Sequence, residues 1–247
     1  THRIKALKSN LSRLGVVNSY ITRMNANKMA ELYPETFDRI LLDPSCSGEG
    51  LFVTKEGQPN YWNKKAVKHF SGLQFGLLRQ AFIMLKPGGR ILYSTCALNG
   101  IENDGVVADF LEKTPEAAID ESVIAELAGR GIAVPEQLAG LKGIRFWPHK
   151  TGTKGFFCIA LTKTASQGVD RPDSKFFLKV LKDYERKIYD AFLEERFGVH
   201  ARAYDLVPFE HHLFLASTAL KALPPPPGFS LSLPALKTYE GDEMKPR

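Results

Sequence analysis

Two apolar runs, RILL (39–42) and RILYST (90–95), each lead directly into a cysteine, through DPSCSGEG (43–50) in the first case and at Cys96 in the second. Neither run alternates polar with apolar residues, which is the pattern of a strand buried on both faces. Between them Phe70, Leu73, Leu77, Leu78 and Ala81 recur at helical spacing over residues 64–85, and KPGG (86–89) turns the chain into the second run. Strand, crossover helix and strand in that order, with short connections, predict an α/β fold with a parallel, doubly wound sheet.

That topology bears on the cysteines. Parallel strands joined by one crossover helix lie side by side about 4.8 Å apart, and open α/β sheets bind ligands beyond the carboxyl ends of their strands. Cys46 and Cys96 are therefore expected to face one pocket. A lone cysteine is most often a small core residue, whereas two at equivalent strand ends, one in a Ser/Gly-rich loop, point to function. Cys158, in the strand-like GFFCIAL (155–161), is expected in the core in line with Phe156 and Ala160. Three cysteines, an odd total with none in a CxxC pair, argue against both a disulfide framework and a zinc site.

The flanks are plainer. Ile4, Leu7, Leu11 and Leu14 predict a helix stopped by Gly15, SYITRM (19–24) a strand, and Tyr33 to Thr36 a loop. TASQGVDRPDS (164–174) reads as a linker ending in a helix start at Pro172 to Ser174. A helix is expected over 173–197, with Phe176, Phe177, Val180, Leu181, Tyr184, Ile188, Phe192 and Leu193 on its apolar face and Gly198 closing it. YDLVPFE, HHLFLAST and LSLPALK then predict short strands, and PPPPG (224–228) a stiff turn. With 44 % hydrophobic residues, 247 residues suffice for one sizeable core and a smaller unit. A formal charge of +6 favours an anionic partner, nucleic acid before membrane, since no apolar run of about 18 residues occurs. No signal peptide is visible, and free thiols suit the cytoplasm. The chain opens at Thr1 straight into a helical pattern, as a part of a longer protein would.

At the cysteine loops the sequence resembles the RsmB/Nop2/Sun family of RNA 5-methylcytosine methyltransferases. DPSCSG is similar to its motif IV loop and YSTC to its motif VI strand end, and FDRILLD, LQFGLLRQAFIMLKPGGRILYSTC, ENDGVV and FWPHKTGTKGFF agree, so that the resemblance spans residues 1–163. It implies a Rossmann-like class I methyltransferase sheet, S-adenosylmethionine as cofactor, and RNA as partner, ribosomal RNA before transfer RNA, with no metal, no membrane and a monomer. It implies Cys96 as the nucleophile that adds to C6 of cytosine, Cys46 as the group that assists elimination, and Asp43 as a contact to N3 and the exocyclic amine. Asn25, where the family carries Asp, would meet the adenine, Asp43 and Pro44 would also bind the cofactor, and Ser47, Gly48, His149 and Phe156 would line the substrate. The family's glycine-rich loop, its ribose-binding acid and its catalytic lysine would lie upstream of Thr1. DAFLEERFG with the small β unit resembles the RsmF-like branch, which ends in PUA-like RNA-binding modules. The implied organisation is a catalytic portion over 1–163, a linker over 164–174, and a helix with a β-rich RNA-binding extension over 175–247.

Each assignment has a plainer alternative. Asp43 suits a turn cap, Asn25 a turn, His149 a solvated loop, and at least one of Phe156 and Phe157 a strand core. Lys150, Lys154 and Lys163 suit phosphates or a wet surface, and Glu102 and Asn103 the start of a helix, where the backbone dipole favours an acid. Of the competing functions, a cysteine hydrolase using Cys46 or Cys96 with His69 or His149 lacks a nucleophile-elbow pattern. A catalytically inactive RNA-binding protein is the stronger rival.

Overall fold

A computed structural model describes residues 2–52, 62–130, 143–170, 178–198, 200, 204–209, 212–232, 234–237 and 245–246. The chain falls into two compact units, one of residues 1–25 with 173–247 and the other of residues 26–172. The first opens with α1 (His2–Arg13) and β1 (Tyr20–Ile21). The second holds α2 (Ala26–Leu32), β2 (Phe37–Leu42), α3 (Lys64–Met84), β3 (Leu85–Thr95), α4 (Val106–Lys113), β4 (Ala117–Ile119), α5 (Ser122–Gly129), β5 (Ile144–Phe146), α6 (Pro148–Thr151) and β6 (Phe156–Lys163). The chain then returns to the first unit with α7 (Asp183–Phe197) and strands β7 (Tyr204–Phe209), β8 (His212–Ser217), β9 (Ser230–Leu231), β10 (Pro234–Lys237) and β11 (Lys245–Pro246).

In the second unit the strands run in the order β2-β3-β6-β4, with β5 also on β6. The parallel expectation holds for β2 and β3, joined over α3 and paired from Arg39–Arg90 to Leu42–Tyr93. The remaining pairs are antiparallel, so the sheet is mixed rather than parallel throughout. The reason is directional: the chain enters β6 through α6 at the carboxyl end of β3 and must run back along it. Asn63 caps α3 by accepting from the Ala66 amide at 2.9 Å. Leu85 is extended already, so KPGG lies inside β3 rather than between helix and strand, with Gly88 at a φ of 76°.

The core occupies one face of this sheet, where α3 and α4 bring Leu78, Phe82, Val107 and Phe110 against Leu85, Ile91, Tyr93, Phe157, Ile159 and Leu161. Burial on both faces, expected for RILL and RILYST, is not observed: Leu41 is 71 % and its register partner Leu92 36 % exposed on the other face. Cys158 is likewise not a core residue. It lies between the fully buried Phe157 and Ile159, hence on the opposite face of β6, and is half-buried. Lys163 is not a surface cation either, for its fully buried ammonium pairs with Glu35 at 2.9 Å and lies 5.1 Å from the Phe82 ring centre.

In the first unit, SYITRM contracts to β1, which pairs with β9 and belongs to a separate two-stranded sheet. Strands β11-β10-β8-β7 form an antiparallel sheet over Leu178, Val207, Phe214, Ala216, Leu220 and Leu231. Gly228 at a φ of 65° and the Phe229 amide on the Pro226 carbonyl make the expected turn after the tetraproline. The helix expected from residue 173 begins at Asp183, while the start at Pro172 to Ser174 and Phe176 and Phe177 lie outside the described residues. Its buried side is Leu193 with Tyr189 and Phe192 against Leu213, and Tyr184 and Ile188 are exposed. Gly198 closes it in the left-handed conformation. Among the described residues no helix is long and apolar enough to cross a membrane.

Candidate active site

Strands β2 and β3 end side by side, and their continuations meet. Beyond Leu42 the exposed Asp43 and buried Pro44 lead to Cys46, and beyond Thr95 comes Cys96. The two sulfurs are 2.8 Å apart. Their hydrogen bond shifts the two thiols in opposite directions. The hydrogen bond from Cys46 lowers the Cys96 thiol below its ordinary range, against burial and the nearby negative charges of Asp43 and Glu102. Cys46 is driven far up, first by that same bond, then by burial and the charge on Cys96. The shared bond thus favours the thiolate at Cys96 over that at Cys46, and the thiolate is the nucleophilic form of cysteine.

Loops that leave a sheet lose its hydrogen bonds, and here buried acids replace them. Glu102 is fully buried and accepts from the Ser47 amide at 2.9 Å, Gln74 Nε2 at 2.8 Å and Asn99 Nδ2 at 2.9 Å, all donors, as suits a carboxylate. Glu49 accepts from the Leu98 and Asn99 amides at 2.8 and 2.7 Å and from Trp62 Nε1 at 3.1 Å. Glu102 therefore reaches from the Cys96 side to the Cys46 loop, and Glu49 reaches back. Asn103 adds bonds from Thr95 Oγ1 at 2.7 Å and to the Ala97 carbonyl at 3.0 Å. Glu102 and Asn103 were expected only to start a helix; they lie instead in a π-type turn (Ile101–Gly105) ahead of α4, with their side chains turned inward.

A backbone seam completes the junction. The Gly50 amide donates to the Cys96 carbonyl at 2.7 Å, and the Gly155 amide to the Gly50 carbonyl at 3.1 Å. A Cβ on Gly50 would fall against the Gly155 carbonyl and 2.7 Å from that of Cys96, so only glycine fits. Gly48, buried at a φ of 76°, makes the preceding turn.

The other candidate residues disperse. Ser47 and Gly48 are buried beneath the Cys46 loop, Phe156 is 37 % exposed, and His149 is exposed on α6 with its ring centre 6.1 Å from that of Trp147. Phe157, fully buried, is the core member of the aromatic pair. Asn25 belongs to the first unit and Asp43 and Pro44 to the second. Among the described residues neither cysteine is hydrogen-bonded to a histidine, and His69 is exposed on α3, so a cysteine hydrolase lacks its base. Glu49, Gln74 and Asn99 carried no motif of their own. The one available signal was an acid inside each cysteine loop, in CSGEG and in NGIEN.

Residues 1–162 match the family model described as 16S rRNA methyltransferase RsmB/F. The chain is 38 % identical over 162 residues to ribosomal RNA small subunit methyltransferase F of Aeromonas salmonicida, covering 65 % of this chain and 33 % of that protein. It is 36 % identical over 165 residues to the protein of the same name from Erwinia tasmaniensis, covering 66 % and 34 %. It thus spans about a third of the length of these relatives. Among solved structures it is similar to NSun6 from Pyrococcus horikoshii with SFG, at a TM-score of 0.58 and 30 % identity over 67 % of this chain and 40 % of that one. A methyltransferase homolog protein from Pyrococcus horikoshii matches at a TM-score of 0.53 and 28 % identity over 66 % and 50 %.

Proposed function

This chain belongs to the RsmB/F family of 16S rRNA methyltransferases, and on that premise we propose that it carries the nucleophile side of an S-adenosylmethionine-dependent RNA cytosine-C5 methyltransferase acting on ribosomal RNA. The observation that supports this most is the cysteine pair at 2.8 Å, whose mutual hydrogen bond lowers the Cys96 thiol and raises that of Cys46. Ribosomal RNA is favoured over transfer RNA by the names of the curated relatives.

Cytosine C5 is a weak nucleophile until C6 is saturated. The Cys96 thiolate adds to C6, forming a carbon–sulfur bond and placing electron density on C5. Asp43, exposed at the end of β2, contacts N3 and the exocyclic amine and stabilises the adduct. After C5 has been methylated its proton must leave, and the Cys96–C6 bond breaks as the ring double bond reforms. Cys46 can take that proton once it has given up its own to solvent, and the adduct makes that release easier. Once Cys96 is bound to carbon it carries no charge, so two of the three causes that hold the Cys46 proton, the bond to Cys96 and the charge on it, are gone. Ser47 and Gly48 shape the loop beneath, while His149 and Phe156 face the RNA.

The groups on this side also suit the donor. Asp43, Glu49 and Glu102 converge on the strand ends with no ion pair to any of them among the described residues, and a sulfonium is a cation. On this unit Asp43 and Pro44 would meet S-adenosylmethionine, Asp43 through its polar side chain. The cofactor, when bound, supplies the electrophilic methyl group. We assign residues 1–163 to the catalytic portion and 164–174 to a linker. The helix and β-rich unit over 175–247 we assign to RNA binding in a cytoplasmic monomer.

Replacing the two cysteines separately in the full-length protein tests these roles. Cys46→Ala is expected to accumulate a protein–RNA adduct that survives denaturing electrophoresis, and Cys96→Ala to form none. Equal behaviour of the two variants would overturn the assignment, and absence of label in 5-methylcytidine from radioactive S-adenosylmethionine with the unmodified protein would overturn the activity.

A further inference from the structure

A second surface begins where the nucleophile loop ends. Leu98, two residues past Cys96, lines an open groove of about 760 Å³ together with Trp147, Pro148, His149, Gly152, Thr153 and Lys154. The groove is joined to the cysteines by close packing, because a Cβ on Gly155 would lie 2.7 Å from Gly50 Cα and 2.8 Å from Leu98. Its chemistry is one-sided. From Gly143 to Val169 the sequence has no acidic residue. Of the four lysines and arginines there, Lys150 and Lys154 are exposed, whereas Arg145 and Lys163 are buried against Asp104 and Glu35.

Trp147 is set from behind. The Arg145 guanidinium lies 5.3 Å from its ring centre and 5.5 Å from that of Phe157, and Arg145 is held by Asp104 at 2.5 Å. A buried cation fixed between two aromatic rings and a carboxylate keeps the indole in one orientation. Trp147 is half-buried on the groove wall, and His149 stands beside it. A rigid aromatic face, an imidazole and lysines along one open channel form the combination that takes single-stranded nucleic acid, with bases on the rings and phosphates on the ammonium groups.

We infer that this groove holds the nucleotides of the RNA that flank the reacting cytidine, with one flanking base stacked on Trp147 and its phosphate on Lys154. The inference rests on the RNA reading of the cysteine site and adds to it a place where neighbouring sequence is felt. A base held here fixes the strand beside Cys96, so the groove governs which cytidine is presented. Stacking tolerates every base, since each has a π face, so preference at this position should be graded rather than absolute.

The chain has two tryptophans, so the fluorescence change lost in Trp147→Phe reports Trp147 alone. The probe is a single-stranded RNA 9-mer with a central cytidine, compared with versions carrying an abasic nucleotide at each flanking position. Quenching of Trp147 by the intact strand, lost at one abasic position with about tenfold weaker binding, is the expected result. Trp147→Ala should weaken binding by about the same factor and Trp147→Phe by much less, while Lys154→Ala should reduce the salt slope of binding by about one. Binding with unchanged Trp147 fluorescence and no sensitivity to either abasic position overturns the groove assignment and leaves the RNA reading standing. No binding of any strand overturns both, and quenching by a basic or apolar peptide instead of RNA shows the groove to be a protein-docking site and overturns the inference.

Discussion

The two ends of the catalytic sheet both bury charge, and they handle it in opposite ways. At the amino ends of β2 and β3, Glu35 meets Lys163 at 2.9 Å, and Ser166 Oγ and the Gln167 amide complete the carboxylate at 2.9 and 3.0 Å. The Lys163 ammonium also reaches the Phe82 carbonyl at 3.3 Å. Charge is matched there and the end is closed. At the carboxyl ends Glu49 and Glu102 are satisfied by amides and an indole, Asp43 is exposed, and the two sulfurs are hydrogen-bonded to each other. A closed ion pair stabilises, whereas acids held only by neutral donors keep their field and can act on a thiolate or on a cation brought by a ligand. The chemistry therefore belongs at the end where charge has been left unbalanced.

The sharpest break of this contrast is Cys96→Ala, which should lower methyl transfer at least a thousandfold, as loss of a nucleophile does, while the urea midpoint stays near that of the unmodified protein. At the other end Glu35→Ala should do the reverse. It strands the Lys163 ammonium in the core and should cost about 3–5 kcal/mol, read from urea denaturation at pH 7. Glu35 is lowered in the folded protein: burial opposes this, and the hydrogen bond from Lys163 with those of Gln167 and Ser166 outweighs it. Its stabilisation is thus present above the unfolded carboxylate value and lost as pH falls through the folded one. Stability between pH 5 and pH 3 should drop less steeply in Glu35→Gln than in the unmodified protein, and parallel curves would show that the pair does not carry the acid response.

Glu102→Gln is of intermediate size and separates positioning from catalysis. It places an NH2 where oxygen now accepts, so one of the Ser47, Gln74 and Asn99 donors loses its partner, and displacement of the Cys46 loop should cut turnover about ten- to a hundredfold. The same change removes a negative charge that raises Cys96, so alkylation of Cys96 by iodoacetamide should move to lower pH as turnover falls. A fall in turnover with the alkylation pH unmoved would mark the residue as part of general folding alone. Smallest of all is Cys158→Ala. That thiol is pushed up to about 11 by burial on the open face of the sheet, and its removal should alter turnover by less than about twofold, as for a substitution outside the hydrogen-bonded site, with only the high-pH alkylation phase disappearing.

Much of this end of the molecule was legible in the chain. Strand ends are local, so DPSC after RILL and TC after RILYS placed both cysteines before any coordinates were needed, and the crossover helix brought them to one edge. Lys163 and Cys158 were not legible. A lysine at a strand end and a cysteine in an apolar run look the same whichever face they take, and only the antiparallel return of β6 turned Lys163 toward Glu35 and Cys158 away from Phe157. SYITRM failed for a related reason: β propensity does not name a partner, and its pairing strand is β9, some two hundred residues on.

By itself, then, the sequence determined the β2–α3–β3 crossover, the identity of the paired cysteines and the family, because periodicity and loop chemistry act over a few residues and survive any packing. The tertiary structure decided which acids enter the site, which thiol is lowered and which raised, and which lysines remain in water. Those depend on distances of about 3 Å between groups far apart in the chain, and local residue order does not carry them.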